Sequence, residues 1–565
     1  MPDGARRMFF PAPASGFSMS FDGGFMIRIS GLSVPISDLR PLEEIAAERL
    51  SIRRESVRRT EVARRAVDAR RRHGAPICYS YVLDVETEES EGRILGRFRR
   101  DKKISAAPET EPSVFTRLAG KKSVALNERP VVVGFGPAGM FAALALAAGG
   151  CAPLVVERGQ DVDARHAAIE RFWAGGALDT ETNVQFGEGG AGTFSDGKLT
   201  ARGGDPLQRD VIDAFIRAGA PEEIRYLAKP HIGTDRLRTV VKNIRAEILR
   251  LGGEIRFGVR METLEKKAGK VSGVRLAGGE RIESDAVFLA VGHSARDTYQ
   301  MLHESGVAME AKAFAVGVRV EHPQAMIDRV QFGEDAGHPG LGAADYALTF
   351  QDEVTGRGAY SFCMCPGGQV VAAASEQERV VTNGMSLYAR NSGVANAALL
   401  VQVRPEDFGG EVLGGLNFQR KYEETAFRLA GGDYRAPVQS VGDFLRGTAG
   451  SGDFCVAPTY RPGIAFCRLD GCLPSFVTRT LRDALPAFDA KIAGFAAEDV
   501  PLTGVEMRSS APCRILRDRG SFVSLSTAGL YPVGEGAGYA GGIMSSAVDG
   551  LKAALAFLRQ MGKIE

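Results

Sequence analysis

Hydrophobic and polar positions alternate in "FMIRISGLSV" (25–34), as a half-buried strand requires, and again in "ICYSYVLDVE" (77–86). Between them, Ser37 and Asp38 open a helical stretch that runs to about Leu50. The next stretch, "RRESVRRTEVARRAVDARRR" (53–72), spaces Val57, Val62, Ala66 and Ala69 as the inward face of a helix, with arginines around the rest. Together these elements predict a small N-terminal α/β domain over 26–103, after a Pro- and Gly-broken extension, 1–25, expected to be disordered.

The pattern then changes. Residues 104–126 are polar and contain proline, and read as a linker. From 127 the chain reads strand, glycine loop, helix, strand: Val131–Val133, then "MFAALALAAGG" and "APLVVERG". "RLRTVVKNIRAEILRLGG" (236–253) is amphipathic, and 254–292 alternates as strands joined by glycine turns. Residues 299–519 are mixed and carry no second fingerprint of this kind, while 520–565 returns to an apolar strand, a glycine loop and the helix "SSAVDGLKAALAFLRQ". The expected fold class is α/β. A Rossmann-like domain is assembled from the discontinuous segments 127–298 and 520–565, with an inserted α+β cap or substrate domain and the small N-terminal α/β domain.

Composition narrows the function. Of 565 residues, 44% are hydrophobic and 25% charged, with a formal net charge of +1, so the whole molecule offers no field for nucleic acid or a membrane surface. The arginines of 53–72 have no aromatic side chains interleaved for stacking on bases and read as a solvated face. The longest apolar run, "MFAALALAAGGCAPLVV" (140–156), is too short and too interrupted to span a bilayer, and no signal peptide is apparent. Eight cysteines in this length read as reduced thiols in a cytoplasmic protein, without zinc or iron–sulfur spacing, so no metal is expected.

The glycines carry the first chemistry. Gly134-Phe135-Gly136-Pro137-Ala138-Gly139 is a GxGxxG directly between a strand and a helix. Gly134 permits the tight turn, Gly136 lets the backbone approach a pyrophosphate, and Gly139 lets helix and strand pack closely. The helix N-terminus beyond Pro137 and Ala138 adds N–H donors and positive dipole. Glu157 ends the next strand at the spacing of an acid that binds the adenosine ribose.

Two further segments repeat an apolar approach to a glycine: "DAVFLAVGHSARDT" (285–298), which reaches Gly292, and "GLYPVGEGAGYAGGI" (529–543). A chain that returns to its cofactor at its end suits a flavin, which is longer than one Rossmann loop can hold. This layout resembles the two-dinucleotide-binding flavoproteins of the glutathione-reductase superfamily. More closely, "NVQFGEGGAGTFSDGKL", "VGHSARDT", "FAVGVRVEHP", "YSFCMCPGGQVV" and "YPVGEGAGYAGGIMSSAVDG" resemble a family of uncharacterised FAD-dependent dehydrogenases, over about residues 26–565. The resemblance implies that FAD is held by the first loop, by Ala290-Val291-Gly292 and by Gly534-Glu535. The late acid is Glu535, where the superfamily commonly has Asp, and its role would be to accept from a ribityl hydroxyl.

Gly541, Gly542 and Ile543 would open the last helix against the flavin ring, where N–H donors stabilise negative charge. The loop 185–202, with Gly189 and Gly190, should line the flavin or its pyrophosphate. In it Lys198 either neutralises phosphate or flavin charge or makes a surface salt bridge, and Arg165 has the same two readings. Arg158, beside Glu157, and Val259, after the following strand, complete the expected cofactor set. For catalysis, His293 could serve as an acid–base group or pack against the cofactor. Cys363 and Cys365 would share one face of a strand. There they are either a dithiol that passes electrons or, as preferred here, small buried residues, since a regular strand holds their sulfurs roughly 6–7 Å apart.

The expected activity is that of an FAD-dependent oxidoreductase, a dehydrogenase or reductase with two-electron transfer at flavin N5. Its partner would be a small-molecule substrate; substrate and oligomeric state stay open. With no second GxGxxG, either NAD(P)H visits the flavin transiently or electrons come from a substrate or carrier protein. The alternatives are a flavin monooxygenase and an RNA-modifying or nucleic-acid-binding flavoprotein docking through 53–72.

Overall fold

A computed structural model describes residues 26–562 apart from 71–74, 110, 120–125, 127, 202 and 451. The expected extension 1–25, and Arg71 and Arg72 of the arginine-rich stretch, lie outside the described residues.

The N-terminal unit comprises β1 (Met26–Pro35), α1 (Leu42–Leu50), β2 (Val57–Asp68), β3 (Cys78–Thr87), α2 (Glu91–Arg97) and β4 (Ile104–Ala106). Its four strands form one antiparallel sheet in the order β2-β3-β1-β4. The arginine-rich stretch is therefore a strand, which corrects the expected helix. Its helical spacing of small residues yields to pairing along all of β3, from Val57↔Thr87 to Asp68↔Cys78, and to Val57, Thr60, Val62 and Val67, which favour extended backbone. β2 lies at the sheet edge, and Arg65 closes part of it. Its backbone bonds residues 226 and 228, and its guanidinium lies between the Tyr79 and Tyr226 rings, 5.4 and 5.5 Å from their centroids. The segment read as a linker begins with β4 and continues into α3 (Val114–Leu118), whose Val114, Phe115 and Leu118 are buried.

The dinucleotide-type unit runs through β5 (Val131–Val133), α4 (Pro137–Ala148), β6 (Leu154–Glu157), α5 (Val162–Trp173), α6 (Leu207–Arg217), α7 (Thr234–Arg250) and β7 (Glu254–Phe257). A small antiparallel sheet follows, made of β8 (Met261–Lys267), β9 (Lys270–Leu276) and β10 (Arg281–Glu283), and then comes β11 (Val287–Leu289). α4 has no polar face because it is buried on every side.

After α8 (Arg296–Glu304) the chain passes through β12 (Met309–Ala311), β13 (Phe314–Pro323), α9 (Gln324–Phe332), β14 (Thr349–Gln351) and β15 (Gly358–Cys365). It continues with β16 (Gly368–Ala372), β17 (Thr382–Ser386), β18 (Val394–Val403), α10 (Gly414–Leu429), β19 (Ala436–Ser440) and α11 (Val441–Arg446). Then come β20 (Ile464–Phe466), α12 (Ser475–Asp489), β21 (Pro501–Glu506) and β22 (Cys513–Ile515). Strands β14-β15-β18-β13-β21-β19-β20 make one seven-stranded sheet, β16 and β17 a hairpin, and β12 with β22 a two-stranded bridge.

The last strand, β23 (Leu530–Pro532), returns to the first domain and pairs in parallel with β11. The resulting five-stranded parallel sheet has the order β23-β11-β5-β6-β7, and α13 (Ile543–Gln560) packs on α4. Among the described residues no helix is long and apolar enough to cross a membrane, and no group of three or more His, Cys, Asp or Glu side chains could hold a metal ion.

Candidate functional site

One cleft opens at the carboxyl ends of β5, β6, β11 and β23, where open α/β sheets bind ligands, and encloses about 1520 Å³ of unfilled space including its mouth. The first loop sets its floor. Gly134 has φ +96°, and a Cβ there would press into the Ala290 carbonyl oxygen. At Gly139 a Cβ would run into the Gly134 carbonyl, so this glycine serves helix–strand contact and does not line the cleft. Gly136, Pro137 and Ala138 do line it. Gly136 N-caps α4, and the only atom within 4 Å of a Cβ added there is Gly190 Cα at 3.6 Å.

Glu157 also faces the cleft, but its carboxylate is mostly engaged. It accepts from the N–H groups of Phe135 (2.8 Å), Gly187 (2.9 Å) and Gly159 (3.0 Å), tying three loops together and leaving about one of four lone-pair sites for a ligand. Beside it Arg158 lies 4.2 Å over the Phe186 ring and pairs with Glu181 and Asp297, and the Val259 N–H donates to the Glu157 carbonyl.

Arg165 fits neither the phosphate nor the surface reading. It is fully buried on α5 and donates to the carbonyls of Asn183, Val184, Gly187, Glu188 and Gly190. The guanidinium thus shapes the glycine loop from beneath and never reaches the cleft. Gly189 is likewise beneath the surface, its N–H bonded to the Phe135 carbonyl, whereas Gly190 and Lys198 line the cleft. Lys198 stands 3.7 Å from Asp196, which is held more closely by Arg390.

The middle and late segments meet at their backbones. A Cβ on Gly536 would fall 2.6 Å from the Gly292 carbonyl, and the Tyr299 hydroxyl donates to the carbonyls of Gly292 (3.1 Å) and Gly536 (2.7 Å). Nothing in "RDTYQML" marks that tyrosine. Gly542, with φ +92°, opens α13 and lines the cleft with Ile543; Gly541 stands outside, its N–H on Ser545 Oγ. A Cβ on Gly292 or Gly542 would meet no atom within 4 Å. Bare backbone therefore lines the cleft at Gly136, Gly292 and Gly542, one on each of the three segments, as a long dinucleotide held by main-chain groups requires.

Residues 313–509 match the family described as "FAD-dependent protein, C-terminal domain-like". A protein of Clostridium beijerinckii, described as uncharacterised, is 49% identical over 530 residues, which cover 94% of this chain and 98% of that one. The chain belongs to this FAD-dependent family. Among solved structures, CtdE in complex with FAD is 12% identical and covers 78% of this chain and 86% of its own, with a TM-score of 0.32. The glycerol-3-phosphate dehydrogenase from Bacillus halodurans complexed with FAD is 14% identical over 78% of this chain and 66% of that one, with a TM-score of 0.33. Likenesses this distant bear on neither activity nor substrate.

FAD is the cofactor, and the residues fit it. Gly134–Gly139 and the start of α4 would hold the pyrophosphate, Glu157 the ribose, and Gly292, Glu535 and the Gly542–Ile543 helix start the flavin half. Burial, opposed by the Gly542 backbone N–H and by Lys312, pushes the Glu535 pKa up to about 7. A carboxyl raised in the folded state stabilises most below its unfolded pKa and loses that contribution as pH rises through the folded value. Between about pH 4.3 and 7 the flavin-free protein should lose up to about 3 kcal/mol through this group, less where solvent enters the cleft. Thermal unfolding against pH checks this: Glu535→Gln should flatten that window, and an unchanged slope would show that Glu535 does not titrate there.

The chain between α8 and β22 contributes Phe362, Cys363, Asn383, Glu506 and Arg508 to the same cleft. His293 lines it too. Burial first, then Arg508 and Arg296, lower its pKa to about 3, so it is neutral at physiological pH; its Nδ1 lies 2.9 Å from Ser294 Oγ. Cys363 and Cys365 depart from the regular strand expected of them. β15 pairs as Phe362↔Ala398 and then Cys365↔Asn396, a bulge with one extra residue, and Cys363 has φ +42°. The bulge turns Cys363 into the cleft and leaves Cys365 buried. The Cys365 thiol donates to the Cys363 carbonyl at 3.3 Å, so the bulge folds the second thiol back against residue 363.

Proposed function

We propose that the protein is an FAD-dependent oxidoreductase that carries out two-electron transfer at flavin N5 on a small-molecule substrate admitted from the cap side. One observation carries this reading: a single cleft is lined both by the three segments fitted to FAD and by polar and thiol groups of the seven-stranded cap sheet. When bound, FAD supplies two-electron chemistry. This chain's residues determine what approaches it.

Arg319 and the buried arginines set the polar floor. Arg319 Nε and Nη2 bond both oxygens of Glu506, and Nη2 also donates to Asn383, so these two cleft residues are held rigidly and face substrate with fixed polarity. Arg508 donates to Ser294 and Ser375 and forks onto Glu423, which fixes the wall behind His293. The neutral His293 would orient a ligand by hydrogen bonding rather than deliver a proton as a cation.

The test is direct. The purified protein should show the visible spectrum of bound FAD, released on denaturation as FAD and not FMN. Anaerobic addition of NADH or NADPH should bleach it if a nicotinamide is the donor, and bleaching by neither would assign the donor role to substrate or a carrier protein. A colourless protein that takes up no FAD would overturn the proposal.

A further inference from the structure

Among the residues lining the cleft, Cys363 is the sole nucleophilic thiol, and the chain goes to some lengths to place it. The bulge in β15 removes residues 363 and 364 from the ladder, and Cys363 adopts a left-handed backbone conformation that few non-glycine residues occupy. Its carbonyl accepts from Arg319 Nη1 at 3.0 Å and from the Cys365 thiol at 3.3 Å, so the turn is pinned on both sides. Arg319 is itself fully buried and fixed by Glu506 and Asn396. Lys198 stands in the same wall with only a loose partner in Asp196.

Cys365 is a second thiol two residues on, out of reach of solvent and hydrogen-bonded to the Cys363 carbonyl. Gly368, in the hairpin that follows, could not carry a side chain without crowding Cys365 Cβ, at 3.1 Å from an added Cβ. A cleft-lining, half-buried thiol, a buried partner and a neighbouring cation are the parts that thiol–disulfide exchange needs.

We propose that Cys363 and Cys365 form a redox-active dithiol and that the substrate class is a small disulfide, or in reverse a small thiol. This deepens the oxidoreductase reading above and rests on it. The Cys363 thiolate attacks one sulfur of R–S–S–R, an S–S bond breaks, and RS⁻ leaves with a mixed disulfide on Cys363. Cys365 then gives up its proton and attacks Cys363 Sγ, forming the Cys363–Cys365 bond and expelling the second RS⁻. The substrate gains two electrons, the protein pair loses two, and two thiols result once the leaving groups are protonated. The two-electron chemistry that resets the pair is the kind FAD supplies in that cleft. Supporting the attack, the adjoining Cys365 thiol and the nearby Arg319 and Lys198 hold the Cys363 thiol below its ordinary range against the opposing effect of burial.

The experiment uses the FAD-loaded protein, with oxidised glutathione as the probe, followed by alkylation and peptide mass spectrometry. Wild type should acquire an internal Cys363–Cys365 disulfide; Cys365→Ser should trap glutathione on Cys363; Cys363→Ser should do neither. Iodoacetamide should label Cys363 in Cys365→Ser at pH 7 at least about tenfold faster than any other cysteine of the folded protein. Flavin absorbance of each variant reports folding separately. An unmodified Cys363 in the wild-type holoprotein overturns the proposal. So does a glutathione adduct that never resolves to the internal bond in wild type. In either event retained, reducible FAD leaves the oxidoreductase reading standing, whereas loss of FAD from wild type would remove that reading instead.

Discussion

Glu423→Gln should destabilise the protein by about 3–5 kcal/mol, the usual consequence of leaving buried charge uncompensated. The Glu423 carboxylate is fully buried on α10 and receives two guanidinium forks. Arg296 donates to both of its oxygens at 2.6 and 2.9 Å, and Arg508 at 2.9 and 2.8 Å. Both arginines are also buried, and Glu376 completes the balance by pairing with Arg296 at 2.5 Å. A glutamine of the same shape could accept at one atom only and would present N–H groups to N–H groups. Two cations would then face a single partly exposed carboxylate.

The cluster has a location that gives this cost a functional meaning. Arg296 starts α8 just after the Gly292 turn, Glu423 belongs to α10, and Arg508 follows β21 and lines the cleft. Losing Glu423 should therefore loosen the cap against the FAD site as well as lower stability. Burial would raise the carboxyl's pKa, but Arg296 and Arg508 together hold it down to about 2. A depressed carboxyl contributes fully above its unfolded pKa and loses that contribution as pH falls through the folded value. Wild type should keep this stabilisation down to about pH 4 and lose it toward pH 2. Denaturant unfolding of the variant and wild type at pH 7 and pH 3 checks both points. A difference below about 1 kcal/mol at pH 7 would show that solvent, not packing, surrounds this carboxylate.

Legibility in the sequence followed the distance over which each feature is determined. Gly134, Gly136 and Glu157 lie where strand, turn and helix fall within one short stretch, and all three line the cleft. The β2 strand was misread because Val57, Val62, Ala66 and Ala69 satisfy a helical period, while the deciding contacts lie with β3 and with residues 226–228. Arg165 stood open between a phosphate and a surface reading because both are usual for an arginine near a glycine loop; its partners are five carbonyls, 18 to 25 residues further on.

The thiol pair shows the same limit from the other side. Alternation along "YSFCMC" described a regular strand, and a regular strand separates the sulfurs. The bulge arises where β15 must leave its β18 partner to enter the Pro366-Gly367-Gly368 turn, and that turn was the one local sign of irregularity. Tyr299, Glu423 and Arg508 had no local sign at all, because the site they build joins segments far apart in the chain. Their charge and hydroxyl groups become meaningful only once α8, α10 and the segment after β21 are folded together.

Gly550→Ala should cost the protein its FAD although residue 550 does not line the cleft. A methyl group at Gly550, in the middle of α13, would run into the carbonyl oxygen of Ala138, with Ala138 Cα 2.9 Å away. Ala138 belongs to the first turn of α4, the turn whose N–H groups and dipole would meet the pyrophosphate. Backbone oxygens do not move aside as flexible side chains do, so the two helices must separate. α4 in turn carries Gly139, which has no room against Gly134, so displacement passes directly into the phosphate loop. Overpacking of this kind costs about 1–3 kcal/mol or more, and a shift of about that energy in the bound state weakens FAD binding roughly tenfold to a hundredfold. Flavin retained after gel filtration, together with the melting temperature, measures both consequences. The control is Gly541→Ala, where an added Cβ meets nothing within 4 Å and the melting temperature should hold. Full flavin occupancy and an unchanged melting temperature in Gly550→Ala would mean that the α4–α13 crossing can relax without disturbing the loop it supports.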